Sequence, residues 1–276
     1  MPFRYIHRTI SKCPKNRRYL SAKDDQITTA GILVIGDEIL KGETEDTNSR
    51  FLAKQLHKLG LTLQKISVIP DNLRAISQEV CEFSGKYNYV LTTGGIGPTH
   101  DDLTYEGVAL AFDEPLYLHP ELMNICRKFY GMQDPNSVGM KLAHVPKSSR
   151  LHYKTINGNN LGYPNVSVKN VYMFPGVPEL LKKTILEAGP LLFRSNSRFY
   201  TKHFYCNIPE HKIASELQQV VNEFPDVQFG CYPKMFHNLY KVKVTIESNN
   251  EEVTFKAYCR LLELLPHNCI VDIDDT

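Results

Sequence analysis

The segment that most restricts the fold is AGILVIG, Ala30 to Gly36, a short and almost wholly apolar run ending in glycine. A half-exposed strand alternates apolar and polar side chains. A strand that is apolar throughout has to be covered on both faces, as strands of a parallel sheet are. A polar loop, DEILKGETEDTNS, follows, and then a helix whose Phe51, Leu52, Leu56 and Leu59 recur at three- and four-residue spacing. Thr47 or Asn48 can cap its start, and Gly60 ends it. The unit then repeats. Leu61 to Ile69 alternates as a strand, Pro70-Asp71-Asn72 turns the chain, and Leu73, Ile76, Val80 and Phe83 mark a second helix. Tyr87 to Thr93 is a third strand, which runs into GGIGPTHDD and a helix bearing Leu103, Val108, Leu110 and Ala111. His119-Pro120 opens one more helix. Strand and helix in alternation predict a parallel sheet with helices on both faces.

Residues 146 to 170 carry prolines, an Asn157-Gly158 turn and little helical pattern, which predicts a loop or hairpin excursion. NVYMFPGVPELLKKTI reads as strand, turn and helix, with Pro175-Gly176 in the turn and Pro178 at the first helical position. After about residue 195 the order becomes βαββα, with CIVDI able to close it as a further strand. That is a small α+β domain, ferredoxin-like in its order of elements. The expected division is a leader at 1–26, an α/β domain at 27–195 and the small domain at 196–276. Within the small domain Tyr232 and Phe236 read as core, the alternative being a platform for an adenine ring.

Composition closes some functional classes. Of 276 residues, 42% are apolar and 22% charged, an ordinary globular mix. The net charge of +2 gives no nucleic-acid signal, and no apolar run reaches the ~18 residues of a membrane span. Neither nucleic acid nor membrane is therefore expected as a partner, and a homo-oligomer stays open. The seven cysteines include no C-x-x-C pair, so neither a disulfide framework nor a zinc site is expected, nor a haem, and a reducing compartment fits. The leader carries Arg4, Arg8, Lys12, Lys15, Arg17 and Arg18 with no acid through residue 22. Such a leader resembles a mitochondrial transit peptide, the alternative being a basic tail on a cytosolic protein. The mitochondrial matrix and the cytoplasm are the two expected locations.

The chemistry concentrates where strands hand over to helices. GGIGPTHDDLT, Gly94 to Thr104, joins a strand to a helix at the carboxyl edge of the sheet, where open α/β folds bind ligands. Gly94, Gly95 and Gly97 let backbone N–H groups approach a phosphate. It is neither a dinucleotide fingerprint, since His100 takes the third glycine position, nor a Walker loop. Asp101 and Asp102 would repel a phosphate unless a hard divalent cation stood between them. Thr99 and Asp102 also have the spacing of a helix capping box, which competes for Asp102. A second acidic cluster follows the first strand: Asp37 and Glu38, then Asp46-Thr47-Asn48. In a parallel sheet this loop lies on the same edge, so the clusters can converge. Pro175-Gly176 could complete a pocket there, with Glu179 as a further acid, Lys41 as a phosphate contact and His100 as donor or acid.

GDEILKG, EDTNS, VLTTGGIGPTHDDLT and FPGVPELL together resemble the MoaB/Mog and CinA-like molybdopterin-binding family. LHY near 152 and SVKNVYMFPGVPELL are most similar to the corresponding domain of eukaryotic FAD synthases. The resemblance spans roughly Thr28 to the C-terminus. It implies a three-layer α/β/α fold with a mostly parallel sheet, followed by the small domain. In CinA-like relatives it implies a metal-dependent nucleotide pyrophosphatase, and in FAD synthases hydrolysis of FAD to FMN and AMP. Carried over by motif, Asp37, Asp46, Asn48, Gly94, Gly95, Gly97, Thr99, Asp101 and Asp102 fall on the ligand edge. The synthases continue into an adenylyltransferase domain, whereas this sequence stops at Thr276, so flavin adenylylation is not expected from it alone.

The leading expectation is a hydrolase of FAD or a similar dinucleotide. Asp101, Asp102 and Asp37 would be catalytic. Gly94, Gly95, Gly97, Thr99, His100, Thr47, Asn48, Pro175 and Gly176 would contact the ligand. Asp101, Asp46 and Glu38 would hold Mg, Mn or Co. The alternatives are a molybdopterin binder of molybdenum cofactor assembly and a non-catalytic regulatory module of flavin metabolism.

Overall fold

The computed structural model describes residues 27–131, 134, 137–235 and 239–273; the basic leader and Phe236 lie outside them. The described residues divide into two compact units, with the division between Asn196 and Ser197.

In the larger unit, β1 (Thr29–Ile35) leads into α1 (Asp37–Leu40), α2 (Asn48–Lys58), β2 (Thr62–Ile69), α3 (Leu73–Lys86) and β3 (Tyr89–Thr93). Then come α4 (Thr104–Ala111), β4 (Leu116–Leu118), α5 (Pro120–Tyr130), a 3-10 turn at Val138–Ala143 and β5 (His144–Pro146). β6 (Arg150–Lys154), β7 (Asn160–Val168), β8 (Val171–Phe174) and α6 (Pro178–Leu192) complete it. Six strands form one sheet in the order β2-β1-β3-β8-β7-β6. The first four are parallel, and β7 and β6 run antiparallel to their neighbours. Residues 146 to 170 form the hairpin alternative of the expected excursion: β6 and β7 pair antiparallel across the Asn157-Gly158 turn, and β7 joins β8, so the hairpin extends the sheet itself. The polar Asn165 does not break β7, because its Nδ2 donates to the Met173 carbonyl of β8 at 2.8 Å.

β1 shows why its sequence had to be apolar. Ile32 and Val34 pack into a core with Leu52 and Leu56 of α2 and Leu181 and Ile185 of α6. Leu33 and Ile35 pack on the opposite face with Ile76, Val80 and Phe83 of α3 and Val108 of α4. Alternate side chains of one strand therefore feed two cores, each buried side chain contributing about 1.5–3 kcal/mol. The result is a three-layer α/β/α unit. Since β1 is followed by β2 on one side and flanked by β3 on the other, the connections diverge between β1 and β3, which opens a crevice at their carboxyl ends.

The smaller unit runs β9 (Tyr200–Cys206), α7 (Ala214–Glu223), β10 (Gln228–Pro233), β11 (Val242–Ser248), α8 (Glu251–Leu264) and β12 (Ile270–Val271). Its strands lie in the order β10-β11-β9-β12, antiparallel throughout. This is the ferredoxin-like arrangement. Asn250 caps α8 by accepting from the Val253 N–H at 3.1 Å. Val242, Val244 and Ile246 bury against Val220 and Leu261. Tyr232, expected in the core, is 57% exposed. Cys231 beside it packs against the core, and neighbours on a strand point to opposite faces.

Candidate functional site

The loops that follow β1, β2 and β3 border one cleft of about 470 Å³, lined by Asp37, Glu38, Lys41, Glu43, Asp71, His100, Asp101 and Leu103. Segments distant in sequence therefore meet at the predicted edge. Asp37 and Glu38 reach the cleft from α1, a helical turn where the sequence suggested a plain loop; the Lys41 N–H donates to the Asp37 carbonyl at 2.9 Å. Lys41 sits 3.9 Å from the Asp37 carboxylate with its side chain 60% exposed. His100 is almost fully solvated, 3.8 Å from Asp101.

Asp71 is the functional candidate that the sequence reading took only as a turn residue. Its carboxylate accepts the Asp37 N–H at 2.8 Å, and its own N–H points back to Asp37 Oδ1 at 3.4 Å. This reciprocal pair fixes the ends of β1 and β2 against each other. Burial pushes the Asp71 carboxyl up, the Asp37 N–H opposes that, and the charges of Glu38, Asp37 and Asp101 push it up further. Asp101 goes the other way: the Thr99 hydroxyl first, then its own N–H and the charges of His100 and Lys141, hold it below the usual carboxylate range.

The glycine loop is shaped from within. At Gly94, φ is 102°, and a Cβ there would overlap the Ile35 carbonyl oxygen, so only glycine fits. Its N–H is not available to a ligand, because it donates to the Phe174 carbonyl at 3.2 Å. The N–H groups of Gly95, Ile96 and Gly97 have no protein partner among the described residues. Thr104, fully buried, closes the loop by donating Oγ1 to the Gly94 carbonyl at 2.8 Å and its N–H to the Gly95 carbonyl at 3.0 Å. The expected capping box is corrected here. α4 begins at Thr104 with Leu103 at its cap position, and Asp102 instead folds back to accept the Thr99 N–H at 2.8 Å and hydroxyl at 2.5 Å. Asp102 therefore holds the loop rather than lining the cleft.

Two further expectations change roles. Asp46 accepts the Ser49 N–H at 2.9 Å and caps α2, while Thr47 occupies the cap position without a side-chain bond. Asn48 is buried, and its Nδ2 donates to Thr93 Oγ1 at 3.0 Å and to the Gly176 carbonyl at 2.8 Å. It binds the start of α2 to the ends of β3 and β8. Thr93 Oγ1 in turn donates to the Pro175 carbonyl at 3.3 Å, so Pro175 and Gly176 buttress the edge from behind. Glu179 is exposed on the first turn of α6.

Among the described residues no three His, Cys, Asp or Glu side chains are grouped closely enough to hold a metal ion. Asp37, Glu38, Asp71 and Asp101 offer hard oxygen donors along one cleft, but they do not form a closed cage. A divalent cation would have to complete its shell with water and ligand oxygens, the usual arrangement of magnesium at phosphate sites.

A sheet of this order, with a glycine loop and an acid-lined cleft at its carboxyl edge, defines a class. The chain belongs to the family described as probable molybdopterin binding domain, whose model matches residues 31–194. The model for the middle domain of FAD synthase matches residues 198–274. A probable FAD synthase of Caenorhabditis elegans is 39% identical over 87% of this chain and 50% of its own length. An Archaeoglobus fulgidus protein is 33% identical over 85% of this chain and 96% of its own length. The crystal structure of the protein CinA with unknown function from Thermoplasma acidophilum superposes with a TM-score of 0.54 at 27% identity, covering 60% of this chain and 99% of that one. The chain spans about half the length of the nematode synthases it matches. No helix among the described residues is long and apolar enough to cross a membrane.

Proposed function

We propose that this chain binds FAD or a related dinucleotide by its diphosphate and hydrolyses it, FAD and water giving FMN and AMP. The observation that carries the reading is the row of unpartnered N–H groups at Gly95–Gly97 on the loop whose Asp101 faces Asp37, Glu38 and Asp71 across one cleft. The N–H groups would bind phosphate oxygens. Asp37, Glu38, Asp71 and Asp101 would hold Mg, Mn or Co against the same phosphates. A cation so bound supplies neutralisation of the diphosphate charge and a more acidic water.

The test is incubation of the full chain with FAD and each of the three metals, with FAD, FMN and AMP separated by chromatography. Equal amounts of FMN and AMP are expected. Asp101→Ala should lose at least about 100-fold in turnover, the usual scale for removing a group that acts on the reacting centre. It should stay folded, since the Asp101 side chain is 60% exposed. Unchanged turnover in that variant would remove Asp101 from the mechanism. Among the described residues no three carboxylates are grouped closely enough to hold a metal ion, which favours one second reading, a molybdopterin phosphate held on the same loop with little hydrolysis. Tight molybdopterin binding without FAD cleavage would select it.

A further inference from the structure

Lys141 belongs to no motif of the sequence, yet the structure brings it onto the glycine loop. It lies on the 3-10 turn Val138–Ala143, and its Nζ donates to the Thr99 carbonyl at 2.5 Å. Glu106 Oε1 of α4 is 3.7 Å from the same nitrogen, and the lysine side chain is 24% exposed. An ammonium has three donors. Thr99 takes one and Glu106 attracts a second, so one remains. Thr99 is thereby pinned at three atoms, since its N–H and hydroxyl are both held by Asp102. The cleft itself is lined by five carboxylates, His100 and a single lysine, Lys41, which lies 3.9 Å from Asp37 on the opposite loop. An anionic ligand on Gly95–Gly97 gains from a fixed positive charge on the loop's own side, beside any bound cation.

We propose that Lys141 is a phosphate-contacting residue of this site: it braces the glycine loop through Thr99 and offers its remaining N–H to a phosphate oxygen of a nucleotide diphosphate. The assignment rests on the reading of that loop as a diphosphate cradle. Lysine suits the role as a compact point charge whose covered stem limits the freedom lost on binding. Arginine keeps the charge and donors, whereas methionine keeps the stem alone.

The probe is inorganic pyrophosphate, titrated calorimetrically into the full chain in magnesium buffer. Lys141→Met should bind at least about tenfold more weakly, the scale of one charge-assisted hydrogen bond, and should show a shallower dependence on salt. Lys141→Arg should recover to within about threefold of the native chain. A native chain that binds no pyrophosphate overturns the cradle and the lysine together. A native chain that binds, with Lys141→Met unchanged, overturns the lysine alone. Should the methionine variant fail to fold, trace acetylation of the native chain decides. Pyrophosphate should protect Lys141 from acetic anhydride, and unchanged labelling there refutes the contact.

Discussion

Replacing Asn48 by alanine tests the joint that holds the ligand edge together. Asn48 is 8% exposed and donates to Thr93 Oγ1 and the Gly176 carbonyl. Two net hydrogen bonds are worth about 2 kcal/mol, and a Gly176 carbonyl left unpaired costs about 1 more. Against that, Asn48 Oδ1 is itself buried without a partner, and its removal returns about 1 kcal/mol. The expected loss is about 2 kcal/mol, close to a 30-fold shift in the folding equilibrium. Asn48→Asp has the same size but sets a carboxylate oxygen against the Gly176 carbonyl, so the loss at pH 7 should reach about 3–5 kcal/mol, as for an uncompensated buried charge. The sign with pH follows. Burial raises the folded pKa of that aspartate above its unfolded value of about 3.9. Its penalty is therefore absent below that value and grows as pH rises through the folded pKa. Hydrogen exchange in peptides covering β3 and β8 reports on the larger unit alone, and urea midpoints at pH 4 and pH 7 give the pH dependence. An alanine variant within about 0.5 kcal/mol of the native chain, or an aspartate variant no worse than alanine at pH 7, would refute the reasoning.

Asp71→Asn should stabilise the chain at neutral pH and flatten its pH profile. A carboxyl whose pKa is raised in the folded state gives stability below its unfolded pKa and loses it as pH rises, and the amide oxygen can still accept the Asp37 N–H. Unfolding midpoints across pH 3 to 8 check this, and a profile parallel to the native one would count against it. Gly94→Ala should destabilise by about 3 kcal/mol or more, because strained φ adds to overlap with the Ile35 carbonyl. Gly42→Ala, at φ 72° but with open space around the new methyl, should cost only about 1 kcal/mol. Equal thermal shifts in the two variants would remove the steric argument.

Much of this arrangement was legible in the sequence because it depends on local rules. Ala30 to Gly36 had to be a two-sided strand, and Leu73, Ile76, Val80 and Phe83 placed α3 on one face of the sheet. The glycine loop and the convergence of Asp37 with Asp101 followed from parallel strands sharing a carboxyl edge. What could not be read depended on partners distant in sequence. Asp71 looked like ordinary turn chemistry after Pro70, and only its pairing with Asp37 reveals it as part of the cleft. Asp46 and Asp102 had the right residue type, but a backbone N–H three residues away claims one oxygen of each. Lys141 lies on a 3-10 turn with neither a period nor a cap to announce it. The Asn157-Gly158 turn let a hairpin be read at 146 to 170, but its joining to β8 rests on pairing distant from the turn.

The path of the chain between α4 and β8 has an evolutionary consequence. The carboxylates of the cleft all come from segments that end by residue 102, whereas Lys141 arrives on the stretch that carries β4, α5 and β5 before the chain returns to the sheet. The acid groups, with Lys41 and His100 among them, are thus encoded apart from the lysine that braces the glycine loop. Relatives could exchange or trim that stretch and so alter which anionic ligand is retained, while the carboxylates and the glycine turn stay untouched. Chimeras that swap residues 112–149 between family members are accordingly the economical route to changing ligand preference.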